Sequence, residues 1–336
     1  MTTLGIAITG SGGATPDTAL DNDTLSQIVE TSDEWISSRT GIRERRLARP
    51  ETQLCDLAVA ASQQALEMAG LAPSELDLVI LATSTAEDLF GSASNVQHRL
   101  GASQAVAFDL TAACSGFVFG LVTAAQFLRT GVYRNALLVG ADILSRWVDW
   151  SDRRTCVLFG DGAGAVVLQR VEEADGLLGF ELRSNGAQND CLMLNYQPEA
   201  QSLVEGVTVS QGRYGRIAMN GQEVYKFAVK KVPEAIEKAL FRANLSTDDI
   251  DWLVLHQANQ RILDAVAKRL NVPGEKVISN LARYGNTSAA SIPLALDEAV
   301  RSNRIRPGDT IAASGFGAGL TWGAAIFKWG DFYREA

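Results

Sequence analysis

The sequence predicts an α/β protein made of two fused halves, each with a mainly parallel sheet covered by helices, related by a pseudo-twofold and sharing a core. Three observations lead there. Segments of the first half recur in the second at a fixed offset of 174 positions. Strand-type and helix-type stretches alternate along both halves, which is the pattern of parallel sheets with crossover helices. The 336 residues, 46% apolar and 21% charged, are enough for two core-sharing lobes of ordinary globular composition.

The elements follow in order. LGIAI at Leu4 opens the first half as a strand, and LGFEL at Leu178 opens the second. AGLAPSELDLVILATS from Ala69 and ANLSTDDIDWLVLHQA from Ala243 each read as a helix end, a polar turn and a short apolar strand. VILA and LVLH are almost wholly apolar, as strands buried on both faces are. SASNVQHRLG reads as an amphipathic helix, VAFDL as a strand, and SGFVFGLVTAAQFL as a buried helix with small residues where it packs closely. RTGVYRNALLVGA at Arg129 matches NRIRPGDTIAASG at Asn303 without a gap. AGAVVL at Ala163 then matches WGAAIF at Trp322 at an offset of 159, so the first half carries about fifteen extra residues near DILSRWVDWSDRRTC. Each half is therefore expected as βαβαβαββ, with the halves at 1–174 and 175–336 meeting in the polar turn VEEADG.

Composition limits the function. A net charge of −9 without an unbroken basic tract argues against nucleic acid or anionic membrane as a general partner. An acidic partner would need a local basic patch. The cysteines, at 55, 114, 156 and 191, form no CxxC pair and no metal-ligand spacing, so neither a metal site nor a disulfide framework is expected. The start, MTTLGIAITGSGGATP, lacks the features of a signal peptide, and no segment is long enough to cross a bilayer. A cytoplasmic protein is expected.

Differences between the repeats point to chemistry. At the common offset Cys114 corresponds to Ser288, His256 to Ala82 and Asn286 to Ala112, so scaffold recurs while reactive side chains do not. In DLTAACSGFVFGL, Cys114 falls at the turn between a strand and a helix N-terminus. Free N–H groups and the helix dipole there favour thiolate and could hold an oxyanion. A small buried core residue is the competing reading. Of two histidines, His98 falls on the polar face of its helix. His256 ends an apolar strand, where function and a satisfied structural histidine both remain open. Asn286, in RYGNTSAAS, suits a turn or cap as well as a catalytic amide. Neither glycine-rich run is a nucleotide loop: in GFGAGLTWG, Leu320 stands where a dinucleotide fingerprint needs its third glycine, and GDGAGAVVL runs into a strand.

Taken together, DLTAACSGF, LHQANQRI, YGNTSAAS and GFGAGLTWG, with SDEWISSRTGIRERR near the start, resemble the β-ketoacyl-[acyl-carrier-protein] synthase III family over essentially the whole chain. The resemblance implies the thiolase fold, five layers α-β-α-β-α. It implies acyl transfer from coenzyme A, usually acetyl, to Cys114, then a decarboxylating condensation with malonyl-[acyl-carrier-protein] that initiates fatty acid synthesis. His256 and Asn286 would stabilise the thioester enolate, and the main-chain N–H groups of Cys114 and Ala318 the oxyanion. Relatives often have glycine at the position of Ala318, a change that a backbone donor tolerates. Trp35, Arg39 and Arg153 match coenzyme A contacts: an aromatic on the adenine, an arginine near the phosphates and a guanidinium on the adenine's other face. Lys226, Lys230 and Arg261 are candidates for docking the acidic carrier, with a plain solvated face as the alternative. Phe90 matches a residue that reaches the neighbouring subunit's acyl pocket, which implies a homodimer. No cofactor is implied; coenzyme A and the carrier's phosphopantetheine are parts of substrates.

Other functions share some of these features. The order Cys, His, Asn is also that of papain-like peptidases, which need histidine as a general base beside the sulfur. Starter-loading enzymes and acyltransferases of polyketide or secondary metabolism keep nearly the same motifs. A non-catalytic homologue would have no need of the intact Cys114, His256 and Asn286.

Overall fold

A computed structural model describes residues 4–172 and 175–330. The first half runs β1 (Leu4–Ala14), β2 (Ala19–Asp21), α1 (Asn22–Leu25), α2 (Asp33–Thr40), β3 (Glu44–Arg46), α3 (Leu54–Ala69), β4 (Leu78–Ala82), α4 (Ala93–Leu100), β5 (Val106–Leu110), α5 (Gly116–Arg129), β6 (Asn135–Ile143) and β7 (Asp161–Glu172). The second runs β8 (Leu177–Ser184), β9 (Leu192–Met193), β10 (Tyr196–Val204), β11 (Val207–Tyr214), β12 (Ala218–Met219), α6 (Gly221–Ala243), β13 (Trp252–Leu255), α7 (Gln260–Leu270), β14 (Val277–Ile278), α8 (Leu281–Tyr284), α9 (Ser291–Arg301), β15 (Thr310–Gly317) and β16 (Thr321–Lys328).

Two five-stranded sheets have matching orders, β1-β7-β6-β4-β5 and β14-β13-β15-β16-β8. In each, one strand (β7 or β16) runs against the other four. The expected βαβαβαββ order is therefore present twice. The expected junction at 174/175 falls beside Glu173 and Ala174, which lie outside the described residues.

Side-chain alternation builds five layers, because successive strand residues face opposite sides of a sheet. Leu78, Ile80 and Ala82 of β4 face a central layer of α5 and α9, which also packs on Val254, Ile311 and Ala313 of the second sheet. Val79 and Leu81 face α3 and α4 on the outside. Helices α6 and α7 cover the outer face of the second sheet. The order is helices, sheet, helices, sheet, helices: the five-layered thiolase fold.

Close approach in the middle layer is possible because of glycine. A Cβ on Gly140 in β6 would stand 2.2 Å from the Ala289 carbonyl oxygen, and one on Gly164 in β7 would stand 2.7 Å from the Leu294 nitrogen. Gly164 belongs to one glycine-rich run, and Gly323 of the other packs likewise, its added Cβ standing 2.8 Å from the Glu181 carbonyl oxygen, so both runs serve backbone packing.

Both halves are elaborated between the first strand and first helix, at residues 15–53 and 185–220. These segments and the longer β6–β7 connection meet in a separate cluster that includes Leu25, Ile36, Val148, Val157, Phe159 and Ile217. The fully buried Arg45 knits this cluster. Its guanidinium donates to the Leu20 carbonyl, Asn22 Oδ1 and the Val157 carbonyl, each at 2.9 Å. Burial pulls its pKa down to about 10. The hairpin β10–β11 is exposed along nearly its whole length.

Candidate active site

Cys114 lies in the single tight turn Ala113–Ser115 between β5 and α5. The preceding Ala113 takes φ +47°, a left-handed conformation rare outside glycine. The matching turn before α9 has its left-handed residue at Ser288, φ +52°. The backbone therefore repeats one position out of the sequence register, and Cys114 stands opposite Ala289 rather than Ser288. The strand end of β15 closes on this turn: a Cβ on Gly317 would stand 2.6 Å from the Cys114 nitrogen. Glycine leaves that N–H accessible.

Cys114 is buried, with 7% of the residue exposed. Burial pushes its pKa up to about 12, against a hydrogen bond from Ser288 that lowers it. The thiolate expected at a helix N-terminus is thus not the resting form, because desolvation outweighs the partial charge of the dipole. Alkylation of Cys114 by iodoacetamide should accordingly be slow at pH 7 and rise about tenfold per pH unit through pH 9. A plateau near pH 7 would show a stabilised thiolate instead.

His256 follows β13 and is buried, with its ring edge-on to Phe316 at 5.4 Å. Nδ1 lies 2.7 Å from the Ser291 hydroxyl. Burial drops the imidazole pKa to about 3, so the ring is neutral. Asn286 is fixed by the other half of the molecule. Its N–H donates to the Leu158 carbonyl at 2.8 Å, and its carbonyl accepts from the Gly160 N–H at 3.0 Å. Its side-chain oxygen accepts from the Ser288 N–H at 2.9 Å. The turn-forming role and an amide NH2 left for a ligand are therefore compatible in one side chain.

Cys114, His256, Asn286 and Phe316 line one cavity of about 600 Å³, together with Tyr225, Lys226 and Arg261. A second, of about 960 Å³, is also lined by Cys114, with Phe108, Trp147, Tyr214, Ala318, Leu89 and Phe90. The sulfur stands where a basic-mouthed cavity and a second, larger one meet. Ala318 borders the second cavity with Cys114. Phe90 is 98% exposed.

The other expected residues sort by position. The Arg39 and Arg153 guanidinium carbons lie 4.6 and 5.2 Å from the centre of the Trp35 ring, so all three come together. The Arg153 spacing is shorter than the roughly 7 Å that an intervening base needs at two van der Waals contacts, so this guanidinium must swing out to admit one. Lys226 pairs with Glu223 at 2.8 Å, and the Arg261 guanidinium lies 5.9 Å from the Tyr225 ring. Lys230 is exposed one turn further along α6, away from the cavity wall. His98 is exposed. Among the described residues no group of three or more His, Cys, Asp or Glu is placed to hold a metal, and no helix is long and apolar enough to cross a membrane.

Sequence reasoning missed Asp142, Phe316 and Ser291. The buried Asp142 accepts from Thr83 and Thr85 hydroxyls and from the Ser84 and Ala289 N–H groups, tying the first sheet to the turn before α9. Burial holds its carboxyl above the usual range. Its only sequence signal is an acid inside the apolar run LLVGADIL.

Comparison with known proteins agrees with this architecture. Residues 108–186 match the family model for 3-oxoacyl-[acyl-carrier-protein] synthase III, and residues 240–329 match its C-terminal model. A beta-ketoacyl-[acyl-carrier-protein] synthase III of Trichormus variabilis is 69% identical over 98% of this chain and 100% of its own length. The crystal structure of 3-oxoacyl-[acyl-carrier-protein] synthase III from Aquifex aeolicus superposes with a TM-score of 0.88 at 43% identity, covering 97% of this chain and all of that one. The priming beta-ketosynthase of the R1128 polyketide pathway superposes with a TM-score of 0.89 at 36% identity, covering 97% of each chain.

Proposed function

The chain belongs to the β-ketoacyl-[acyl-carrier-protein] synthase III family, and from that membership we propose how its residues act. It is a condensing acyltransferase that initiates fatty acid synthesis. The polyketide-priming relative is more distant than the fatty-acid enzymes at 69% identity, so we favour the fatty-acid role. A papain-like peptidase does not have this fold.

In the first half-reaction Cys114 attacks the thioester carbon of an acyl-CoA, acetyl-CoA in the simplest case. The oxyanion is held by the main-chain N–H groups of Cys114 and Ala318, and coenzyme A leaves as the thiol with the proton of Cys114. In the second, malonyl-[acyl-carrier-protein] loses carbon dioxide. The electrons of the breaking C–C bond pass into the thioester, whose enolate oxygen accepts from His256 Nε2–H and the Asn286 amide. The carbanion then attacks the acyl-Cys114 carbonyl, the Cys114 thiolate departs and takes a proton from solvent to restore the thiol, and 3-oxoacyl-[acyl-carrier-protein] is released. The observation that carries this reading is the single cavity shared by Cys114, a neutral His256 and Asn286. Neither nitrogen donor must abstract a proton, so a neutral imidazole is the required form. The thioester itself is the electron sink, so the reaction needs no cofactor.

Coenzyme A would stack its adenine on Trp35, with Arg39 toward the phosphates and Arg153 closing from outside. Trp35→Ala should raise KM for acyl-CoA by roughly 5- to 100-fold with little change in kcat, the range expected for loss of one base–aromatic stack. An unchanged KM would remove this contact.

Lys226 and Arg261 at the cavity mouth, with Lys230 beyond, would dock the acidic carrier. Reversing charge at Lys226 and Arg261 should raise KM for malonyl-carrier about tenfold while Cys114 still loads from acyl-CoA. Equal damage to both substrates would dismiss the docking role. The exposed Phe90 beside the second cavity supports a homodimer in which this ring completes the partner's acyl pocket, in a cytoplasmic enzyme. Intact-mass measurement after incubation with a panel of acyl-CoAs tests the whole scheme: one stable acyl adduct on Cys114 is expected, and its absence would overturn the reading.

A further inference from the structure

The Ser291 hydroxyl is buried at the first turn of α9, 35 residues from His256 in sequence. It touches two nitrogen-bearing groups: His256 Nδ1 at 2.7 Å and the Gln257 N–H at 3.3 Å. A serine hydroxyl has one proton to give and two lone pairs. The Gln257 main-chain N–H can only donate, so it takes a lone pair. The hydroxyl proton is then left with Nδ1 as its acceptor among the described residues. Were Nδ1 itself protonated, two N–H groups would point at one oxygen and the serine proton would be buried without a partner, an arrangement folded proteins avoid.

We propose that Ser291 is a positioning residue that donates to Nδ1 of His256 and so holds the imidazole in the tautomer whose Nε2–H faces the Cys114 cavity. This rests on the reading that His256 donates a hydrogen bond to the enolate oxygen. With the other tautomer a bare nitrogen would meet the developing negative charge.

The chain has only two histidines, which makes the test direct. With 15N-labelled histidine, and His98→Asn to leave one signal, wild-type His256 should show a protonated Nε2 and an unprotonated Nδ1. Ser291→Ala should mix the tautomers and slow condensation roughly 10- to 100-fold, the usual cost of losing a group that orients a functional histidine. Loading of Cys114 from acyl-CoA should change by less than about threefold, since that step does not use His256. Ser291→Thr, which keeps the hydroxyl, should restore tautomer and rate. A protonated Nδ1 in the wild type overturns the proposal even if Ser291→Ala fails to fold. So does a Ser291→Ala variant with unchanged tautomer and rate, or one that slows both half-reactions equally. His256→Ala separates the two claims: full condensation without the imidazole would defeat the enolate reading itself, whereas an inactive His256→Ala beside a fully active Ser291→Ala defeats only the role of the serine.

Discussion

Cys114→Ala will abolish condensation while leaving malonyl-carrier decarboxylation in place. The two half-reactions use different atoms in the proposed mechanism. Acyl transfer needs the sulfur as nucleophile, and the adjacent Ser115 hydroxyl is engaged by the Ala112 carbonyl and Thr321. The loss should be on the order of 10⁴-fold or more, as for other covalent nucleophiles removed from their supporting groups. Decarboxylation needs only donors at the thioester oxygen, and His256 and Asn286 keep their backbone and side-chain anchors when the sulfur is gone. Carbon dioxide release without 3-oxoacyl product, followed by isotopic label in the malonyl carboxylate, is the expected signature. Simultaneous loss of both activities would place Cys114 in the decarboxylating machinery and contradict the division of labour.

Gly140→Val will separate the halves where the catalytic groups meet. Valine is a better strand former than glycine, so local propensity favours the substitution. The obstacle is tertiary: the new Cβ would overlap the Ala289 carbonyl oxygen at 2.2 Å, and a carbonyl in the tight turn leading into buried α9 cannot yield as a side-chain tip can. Destabilisation of about 3 kcal/mol or more is expected, near the upper end for overpacking. Activity should fall with it, because the same turn carries Ser288 and leads into α9 with Ser291. Gly274→Ala is the control, since nothing lies within 4 Å of its added Cβ. A melting midpoint for Gly140→Val equal to that of the control would show that the interface can open without cost.

Several features were legible in the chain and others were not, for identifiable reasons. The duplicated elements were visible because buried strands and helices advertise themselves through apolar periodicity, and the offset of 174 held from β4 to β13; between β1 and β8 it did not, since Ile8 and Leu177, 169 apart, stand opposite the equivalent Leu168 and Phe327. The extra segment of the first half emerged as the connection from β6 to β7. The turn register was not visible, because a one-residue slip in a run of small residues leaves composition unchanged. The thiolate expectation failed on burial, a quantity set by what packs over the turn rather than by the turn itself. Residues 15–53 and 185–220 escaped the repeat analysis because they have no counterpart to align with, yet they build the walls around Trp35 and the cavities.

Asp142 and Ser291 show the same limit from the other side. Each is an ordinary residue type in an unremarkable local context, and each takes its significance from partners 34 or more positions away. By itself the sequence determined the architecture of the halves and the residue types available for chemistry, since periodicity and residue identity are local properties of the chain. Only the tertiary structure decided which groups share a cavity, that the sulfur rests protonated and the imidazole neutral, and which hydroxyl holds Nδ1. Those depend on desolvation and hydrogen-bond direction, which exist only once distant segments are packed together.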